Sequence, residues 1–514
     1  MSEAKALNAE KAGSSSSSDS AGRRGQNAVT SFLKNPNLIR EKAFIGGQWK
    51  DADNGQRLEV TNPADGSILG TVPNVGERET SQAIEMAQQA FKAWAEDLPQ
   101  NRARILRRWA DLMIDNKEDL ALIMTLEQGK PLTEAQGEID YAASFLEWFG
   151  EEGKRLYGDV VPSHLPGSKM IVSQKPVGVA ALITPWNFPS AMLTRKAGAA
   201  LAAGCPVVCR PAEETPYSAL ALCVLAQEAG LPDGLLSVLT GKPEPIVDTM
   251  LESTTVRKVS FTGSTEIGRL LLEKSAATVK KTSMELGGHA PFIVFPDADL
   301  DKALTGGIGA KFATTGQDCL AVNRLFVHDS LYDEYARRFT RRTEKMRLGN
   351  GLDNGVELGP LMHDRAVAKC VEHVKDALDK GAELLCGGQI DPELGGNFFQ
   401  ATVLGNVTPE MKIYREETFG PVTPLIRYQD EEEVVQAAND SEYGLAAYIY
   451  TQDLNRAHRV ADALEYGMVG INTPKFTGAP VPFGGVKQSG LGREGSRHGI
   501  EEYTQLQYHC LGGL

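Results

Sequence analysis

A cysteine stands after a glycine-containing turn, in the segment TGQDC at residues 315–319. A thiol placed there could act as a nucleophile, because its own backbone N–H stays free to hold the oxyanion of an attacked carbonyl. The pattern is weak by itself, since a cysteine is more often a small residue packed in the core. Cys319 is therefore a candidate for covalent catalysis that needs partners elsewhere in the chain.

Two other segments carry side chains that such a nucleophile needs. Glu285 precedes two glycines in MELGG, residues 284–288, where a carboxylate in a loop could serve as a general base. Asn187 lies in TPWNFP, residues 184–189, where its amide could donate a hydrogen bond to the oxyanion. Simpler interpretations are a solvated carboxylate at a strand end for Glu285 and an ordinary Asx turn for Asn187.

Alternating strand and helix patterns surround these segments from Pro176 to Pro296. Strands are predicted at 177–184, 206–209, 235–239 and 258–262, with helices at 191–203, 218–229 and 265–275. This alternation predicts βαβ units and a parallel sheet, in which loops at the carboxyl ends of the strands hold the ligand. The pattern indicates a dinucleotide site before any motif is considered.

The rest of the chain gives coarser expectations. Two amphipathic helices are predicted between Glu79 and Gln128, and a second α/β block from about residue 290 to residue 483. A further strand is predicted at 501–508, and the acidic run at 430–433 predicts a helix start. The first 34 residues are rich in serine and poor in bulky apolar side chains, which predicts a disordered tail.

Composition excludes several classes of function. A chain of 514 residues with 42% hydrophobic residues can bury two or three cores. The net charge of −14 argues against a nucleic-acid partner, and the lack of an apolar run of about 18 residues argues against a membrane span. The seven scattered cysteines show neither metal-ligand spacing nor a disulfide framework. We expect a cytoplasmic enzyme without a bound metal.

Three more motifs complete a set that resembles the aldehyde dehydrogenase superfamily. They are FTGSTEIG at 261–268, EETFGP at 416–421 and PFGG at 482–485, and all six motifs stand in the family's order. The resemblance implies an α/β fold with a Rossmann-like cofactor domain, an α/β catalytic domain and a β-arm for a homodimer or homotetramer. The implied bounds are 35–153 with 175–288 for the cofactor domain, 289–490 for the catalytic domain, and 154–174 with 491–514 for the arm.

The resemblance also implies a mechanism. Cys319 attacks the aldehyde to give a thiohemiacetal, whose oxyanion is held by Asn187 and by the Cys319 backbone N–H. Hydride then passes to the nicotinamide, and Glu285 activates the water that hydrolyses the thioester. Lys196 and Glu494 match positions that relay protons in the family. Glu285 also separates this chain from the branch of the family that transfers its thioester to coenzyme A.

Nine positions match the family's cofactor site, for a pyrophosphate turn, a nicotinamide pocket and an adenine ribose. Glu213 favours NAD over NADP, because a carboxylate would repel a 2′-phosphate. Arg210 stands where the family usually has lysine and could bind a phosphate, which leaves NADP use open. The matched positions are Pro185, Trp186, Arg210, Glu213, Gly263, Ser264, Gly268, Glu417 and Phe419.

Within the family, the segments at 190–196 and 484–496 are most similar to succinate-semialdehyde dehydrogenases. The resemblance implies that Arg195 binds the distal carboxylate of the substrate and that Thr477 supplies a hydroxyl. The simpler interpretation of Arg195 is an arginine on a helix surface. Ala313 replaces a second arginine that is expected six residues before the nucleophile, and Lys475 is a candidate substitute for it.

Three functions therefore remain open. One is oxidation of a semialdehyde such as succinate semialdehyde, and another is oxidation of a longer, aromatic or uncharged aldehyde. A third is a binding protein on this fold without catalysis, which the presence of Cys319, Glu285 and Asn187 argues against. Ala321 stands where several related enzymes have a second cysteine, so we expect no disulfide switch beside the nucleophile.

Overall fold

The computed structural model of the protein describes residues 28–514. Its α-helices are α1 (Glu77–Glu96), α2 (Pro99–Asp115), α3 (Lys117–Gln128), α4 (Leu132–Glu152), α5 (Pro189–Ala203), α6 (Pro216–Glu228), α7 (Pro243–Glu252), α8 (Thr265–Ala276), α9 (Leu300–Phe312), α10 (Asp329–Thr343), α11 (Asp364–Asp379), α12 (Lys412–Arg415), α13 (Glu431–Asn439), α14 (Leu454–Ala463) and α15 (Ser496–Glu501). Short 3₁₀ helices span Ala28–Phe32, Pro36–Leu38, Gly153–Arg155, Ala313–Gly316 and Lys487–Ser489.

The strands form one eight-stranded, one seven-stranded, one three-stranded and one two-stranded sheet. In chain order they are β1 (Ala43–Ile45), β2 (Gln48–Lys50), β3 (Arg57–Thr61), β4 (Ile68–Pro73), β5 (Asp159–Val161), β6 (Ser168–Pro176), β7 (Val179–Ile183), β8 (Val207–Arg210), β9 (Leu236–Val238), β10 (Val256–Thr262), β11 (Lys281–Glu285), β12 (Ala290–Val294), β13 (Val322–His328), β14 (Glu383–Cys386), β15 (Thr402–Gly405), β16 (Val422–Tyr428), β17 (Ala446–Tyr450), β18 (Met468–Ile471), β19 (Gly490–Leu491) and β20 (Thr504–Gly512).

The eight-stranded sheet has the order β19-β11-β10-β7-β8-β9-β1-β2. Strands β11, β10, β7, β8 and β9 run parallel to one another. Strands β7 and β8 are buried along their whole length, as expected where helices cover both faces of a parallel sheet. The four strands and three helices predicted between residues 177 and 275 are confirmed, and their ends differ from the prediction by at most two residues.

The region before this sheet forms three helices between residues 77 and 128, so the prediction of two helices is wrong. Helix α1 ends at Glu96, and Pro99 is the first residue of α2, because proline lacks a backbone N–H and is tolerated in the first turn only. Asn116 then separates α2 from α3. Two helices contain one break and three helices contain two, so the prediction missed one break.

The predicted tail ended at residue 34, but residues 28–34 are ordered, and the rest of that tail lies outside the described residues. Val29 is buried in the core, with 1% of its surface exposed. The backbone N–H groups of Lys34 and Asn35 donate to the Asp119 carboxylate at 3.0 and 2.6 Å. One apolar anchor and a remote carboxylate thus order a segment whose composition is that of a loop.

The seven-stranded sheet, in the order β14-β15-β16-β13-β12-β17-β18, forms the second α/β core. All neighbouring pairs are parallel except β14 with β15. The acidic run at 430–433 begins helix α13 as predicted, because the Asp430 side chain accepts the Glu433 N–H at 2.8 Å. This sheet supplies the loop that carries Cys319.

The three-stranded sheet has the order β20-β6-β5 and is antiparallel. The predicted strand at 501–508 instead begins at Thr504 and continues to Gly512, because residues 496–501 form helix α15. Strand β20 pairs with β6 along its whole length and leaves its other edge open. Between residues 28 and 514, no helix combines the length and the apolar character needed to cross a bilayer.

Candidate active site

A cavity of about 670 Å³ lies where β7, β10 and β11 end, between these strand ends and the loop before β13. Most of the predicted site residues line it: Pro185, Trp186, Asn187, Arg195, Gly263, Ser264, Cys319, Glu417, Phe419 and Thr477. Others are absent from its lining: Lys196, Arg210, Glu213, Gly268, Glu285, Lys475 and Glu494. The strands therefore bring together side chains that are far apart in the sequence.

The loop before Cys319 has an unusual backbone. Thr314, Thr315 and Gly316 have φ angles of 48°, 58° and 74°, in the left-handed region. This conformation costs about 1–3 kcal/mol for each residue other than glycine. The Thr315 hydroxyl offsets part of that cost, because it accepts the Gly359 N–H at 3.0 Å and donates to the Gly359 carbonyl at 3.1 Å. The position of Cys319 is thus fixed by the backbone itself.

Cys319 and Asn187 line the same part of the cavity. The Asn187 amide donates to the Gln317 carbonyl at 3.0 Å, and its second N–H is available to a ligand. Burial raises the pKa of the Cys319 thiol well above its usual range, and the neighbouring Asp318 raises this pKa further. The thiol is therefore protonated at neutral pH, and attack on a carbonyl requires a base that removes its proton.

Glu285 ends strand β11 and is buried, with 2% of its surface exposed. Neither of its carboxyl oxygens has a hydrogen-bond partner among the described residues. Burial raises the pKa of this carboxyl group well above its usual range, and the negative charge of Glu494 adds to the shift. A buried carboxyl group without a partner and with a raised pKa is suited to taking up and releasing a proton.

Glu494 lies between two cations in the protein interior. The Arg195 Nε atom is 2.5 Å from Glu494 Oε2, and Lys196 forms an ion pair with Oε1 of the same carboxylate. Burial alone would raise the pKa of Glu494, but the charges of Arg195 and Lys196 outweigh it and lower this pKa. Lys196 also donates to the Thr262 hydroxyl at 2.7 Å, so polar contacts connect the pair to the cavity wall.

The turn after β10 has the geometry of an anion site. Gly263 and Ser264 line the cavity where α8 begins, and the Ser264 hydroxyl accepts the Ile267 N–H at 3.4 Å. The free N–H groups of a first helical turn bind phosphate well. Gly268 lies in the same helix, and a Cβ atom there would come within 2.4 Å of the Leu286 side chain. Glycine therefore allows this helix to approach the end of β11.

Aromatic rings and a carboxylate form the adjoining wall of the cavity, next to Pro185. The rings of Trp186 and Phe419 meet edge to face, with their centres 5.8 Å apart. The Glu417 carboxylate accepts the Gly288 N–H at 3.1 Å, and burial raises its pKa to about 7. An apolar wall beside a carboxylate suits a flat ring joined to a sugar. Together with the turn after β10, this wall fits a nicotinamide dinucleotide.

Glu213 lines a second hollow of about 320 Å³ with Lys242 and His363, and Arg210 is absent from its lining. His363 also lines the main cavity, so the two spaces adjoin. The buried Arg210 guanidinium donates to the Gly241 carbonyl at 3.2 Å and lies 3.5 Å from Glu213. The Glu213 side chain is 45% exposed. Of the two, Glu213 is the side chain that a ligand in the hollow would meet first.

Arg195 and Thr477 also line the cavity. Arg195 is 2% exposed, so its interpretation as a helix-surface arginine is wrong. Its guanidinium packs 4.2 Å from the centre of the Phe483 ring, and its Nη1 atom has no hydrogen-bond partner among the described residues. The Tyr141 hydroxyl lies beside both Arg195 and Thr477. A buried donor is thus open to a ligand in the cavity.

Two residues considered for the substrate site, Lys475 and Ala313, do not line the cavity. The Lys475 side chain is exposed and does not line the cavity, and its backbone N–H is bound to the Thr473 hydroxyl at 3.1 Å. The geometry therefore gives no support to Lys475 as the replacement for the second arginine. Ala313 begins the 3₁₀ helix before the nucleophile and is also absent from the lining. The predicted loss of one arginine is thus not compensated by the lysine.

A buried pair behind the cavity was not predicted. Lys130 donates to the Glu138 carboxylate at 2.6 Å and to the Asn187 carbonyl at 2.7 Å. The same carboxylate accepts the backbone N–H groups of residues 190 and 191, at 2.9 and 3.2 Å, where α5 begins. This pair therefore positions Asn187 and the helix that carries Arg195. Its signal in the sequence is two opposite charges eight residues apart, which is a common surface pattern.

Comparisons with known proteins agree with this geometry. A model described as the aldehyde dehydrogenase family matches residues 49–509. Over 480 residues the chain is 55% identical to the NADP(+) succinate-semialdehyde dehydrogenase GabD of Escherichia coli, covering 93% of this chain and 99% of that one. It is 54% identical to a glutarate-semialdehyde dehydrogenase of Pseudomonas putida, with coverage of 93% and 99%. The crystal structure of a Burkholderia pseudomallei succinate-semialdehyde dehydrogenase, 54% identical, matches with a TM-score of 0.93 over 94% of this chain and 100% of that one.

Proposed function

Since the chain belongs to the aldehyde dehydrogenase family and is an NAD(P)-dependent enzyme, we propose that it oxidises a carboxylate-bearing semialdehyde to the corresponding acid. One observation carries the proposal: the same cavity is lined by the Cys319 thiol, by the wall that fits nicotinamide and by Arg195, whose Nη1 donor has no partner among the described residues. Relatives at 54–55% identity are named for succinate and glutarate semialdehydes, which bear this carboxylate.

The first half of the reaction forms a carbon–sulfur bond. The Cys319 thiol gives its proton to a water molecule, its Sγ atom attacks the aldehyde carbon, and the carbonyl oxygen becomes an oxyanion. The free N–H of Asn187 and the backbone N–H of Cys319 donate to this oxyanion. Each such donor in a dry site is worth about 3–4 kcal/mol to the transition state. A nicotinamide held by Glu417 and Phe419 would supply the hydride acceptor, and loss of hydride from the tetrahedral carbon would leave a thioester on Cys319.

The second half of the reaction breaks that bond with water. Glu285 removes a proton from a water molecule as the water oxygen attacks the thioester carbon. The carbon–sulfur bond breaks, the acid departs, and Cys319 takes up a proton. Lys196 and Glu494 carry the proton of Glu285 away from the site. Their ion pair can redistribute one proton without leaving an isolated charge in the interior.

We assign the adenine ribose to the hollow beside Glu213. This carboxylate would accept hydrogen bonds from both ribose hydroxyls and would repel a phosphate on the 2′ oxygen. Arg210, which could favour that phosphate, is already bound to the Gly241 carbonyl. NAD is therefore the preferred cofactor, and NADP is the weaker alternative.

Replacing Glu213 by glutamine tests this assignment. The change keeps the shape of the side chain and removes its charge, so we expect the ratio of kcat/KM for NAD to kcat/KM for NADP to fall about tenfold. Both values are measured with one aldehyde at saturation. Glu252→Gln is the matched control, because that exposed carboxylate at the end of α7 lines neither the hollow nor the main cavity. A ratio that responds equally to both changes would contradict the assignment.

We place the substrate carboxylate at Arg195. Its Nη1 donor has no partner among the described residues, and Tyr141 and Thr477 supply hydroxyl groups to the same cavity. A charge-assisted hydrogen bond to a carboxylate contributes about 1.5–3 kcal/mol. An uncharged aldehyde would leave this buried guanidinium without that partner.

The test compares succinate semialdehyde with butanal, which has the same length and no carboxylate, by following NADH formation. Wild-type protein should prefer the acidic aldehyde, and Arg195→Ala should lower this preference by about 10- to 150-fold. The preference is a ratio, so a loss of activity that affects both aldehydes equally does not change it. Lys475→Ala, on the exposed neighbouring loop, should change the ratio much less. A preference for butanal would favour the longer or uncharged aldehydes instead.

The eight-stranded and seven-stranded sheets support the proposed bounds of the cofactor and catalytic domains. Apart from β19, the strands of the eight-stranded sheet lie within 35–153 and 175–288, and all those of the seven-stranded sheet lie within 289–490. The open edge of β20 could pair with a second subunit, so we propose a homodimer or homotetramer. All seven cysteines are free thiols, which suits a reducing compartment such as the cytoplasm.

A further inference from the structure

We infer that Asp318 is a specificity-determining residue, which selects semialdehydes that carry a hydrogen-bond donor between the aldehyde and the carboxylate. The donor is a hydroxyl or an ammonium group, since a carboxylate accepts from both. The inference rests on the proposed function, because it takes the aldehyde carbon to lie at Cys319 and the carboxylate at Arg195. The donor then lies on the carbons that join these two points.

Asp318 occupies the wall of the cavity directly before the nucleophile. One oxygen of its carboxylate accepts the Leu320 N–H at 3.0 Å, so the side chain bends back over the loop that carries Cys319. No ion pair joins it to another residue between 28 and 514. Lys130, whose charge acts on it, is instead bound to Glu138 at 2.6 Å. The carboxylate is thus half-buried and lacks a cationic partner of its own.

A carboxylate at this place opposes the chemistry. Its charge disfavours the Cys319 thiolate and also raises the pKa of Glu417 on the nicotinamide wall. Burial already penalises both of these ionised groups, so a neutral side chain at position 318 would leave them better able to ionise. A charge that hinders the free enzyme can still help turnover when the substrate supplies its partner in the transition state.

The charges around Arg195 lead to the same conclusion about the substrate. Glu494 already neutralises much of the charge of Arg195, and Ala313 takes the place of a second arginine. Taken with Asp318, the substrate end therefore has little net positive charge. A semialdehyde whose only polar group is a carboxylate satisfies Arg195 and leaves Asp318 facing an alkyl chain. A substrate with an added hydroxyl or ammonium satisfies both residues.

The experiment compares three aldehydes of equal length: succinate semialdehyde and its amino and hydroxy derivatives with the substituent next to the carboxylate. Wild-type kcat/KM should be higher for at least one derivative than for succinate semialdehyde, by about tenfold or more. In Asp318→Ala that ratio should fall close to one. In Asp318→Asn the preference for the hydroxyl should survive in part, because the amide oxygen still accepts, whereas the preference for the ammonium should be lost.

The outcomes separate the two proposals. Wild-type protein without a preference for either derivative, or a preference that survives Asp318→Ala, overturns the role of Asp318. Loss of turnover with all three aldehydes in wild type overturns the proposed function instead. If the Asp318 variants are inactive, the role of Asp318 is tested by comparing the inhibition of wild type by succinate, malate and aspartate. These acids differ only in the hydroxyl or ammonium group that could donate to Asp318. Equal inhibition by all three would count against Asp318.

Discussion

Cys319→Ser should lower the rate of NADH formation by about a thousandfold or more at saturating cofactor and aldehyde. A serine hydroxyl is a far weaker acid than a thiol, and burial opposes its ionisation further. The loop geometry at 314–316 is set by the backbone, so the serine should occupy the position of the thiol without repairing the reaction. The measurement is steady-state NADH absorbance, with thermal unfolding of both proteins to confirm that the fold is intact.

Cys510→Ser is the matched control for this change. Cys510 is exposed on strand β20, away from the cavity, and its replacement should leave the rate within about twofold of wild type. A thiol reagent should likewise stop turnover in wild type and in Cys510→Ser alike. Undiminished turnover in Cys319→Ser would exclude covalent catalysis at this residue.

Glu285→Gln should separate the two halves of the reaction. Since the amide cannot accept a proton from water, hydrolysis of the thioester should slow by about 10²- to 10⁴-fold. Hydride transfer precedes that step, so mixing with aldehyde and NAD should still release a burst of about one NADH per active site. Mass spectrometry of the intact protein should then detect the acyl group on Cys319. Glu273→Gln, an exposed carboxylate further along α8, is the control and should show wild-type turnover.

The pH dependence of thioester hydrolysis is a second test of Glu285. Burial raises the pKa of Glu285 above its usual range, so the basic form that accepts a proton appears only as the pH rises towards that raised pKa. The wild-type rate of thioester hydrolysis should therefore increase with pH from acid to neutral solution. Glu285→Gln should lose this increase. A variant that keeps both the burst and the pH profile of wild type would assign the base to another residue.

Local sequence patterns were sufficient to predict the strands of the parallel sheets and several of the residues that line the cavity. Strands such as β7 and β8 are short apolar runs bounded by turns, and their periodicity does not depend on remote residues. The glycines after β10 and β11 mark the turns that a ligand approaches. The prediction of two helices missed one of the two breaks between α1 and α3, because a proline such as Pro99 can mark a kink as well as a helix start.

Contacts between remote residues account for what could not be predicted. Lys196 and Glu494 are 298 residues apart, and the pattern around each says nothing about the other. The direction of a side chain in a loop is equally hidden, which is why Lys475 was a candidate although its side chain is exposed. The sequence pattern did not single out Asp318, because its proposed role depends on whether the cations around it form ion pairs with other residues in the fold.

The carboxylate of Glu138 has an effect that extends along α5. The aligned peptide dipoles of a helix give its first turn a partial positive charge, about half a unit, which attracts anions. Helix α5 begins beside Phe188, at the cavity wall, so its first turn could attract the anionic end of a semialdehyde. Glu138 neutralises that turn from inside the protein. The start of this helix is therefore not a competing anion site, which leaves the Arg195 guanidinium, two turns further on, as the proposed site for the substrate carboxylate.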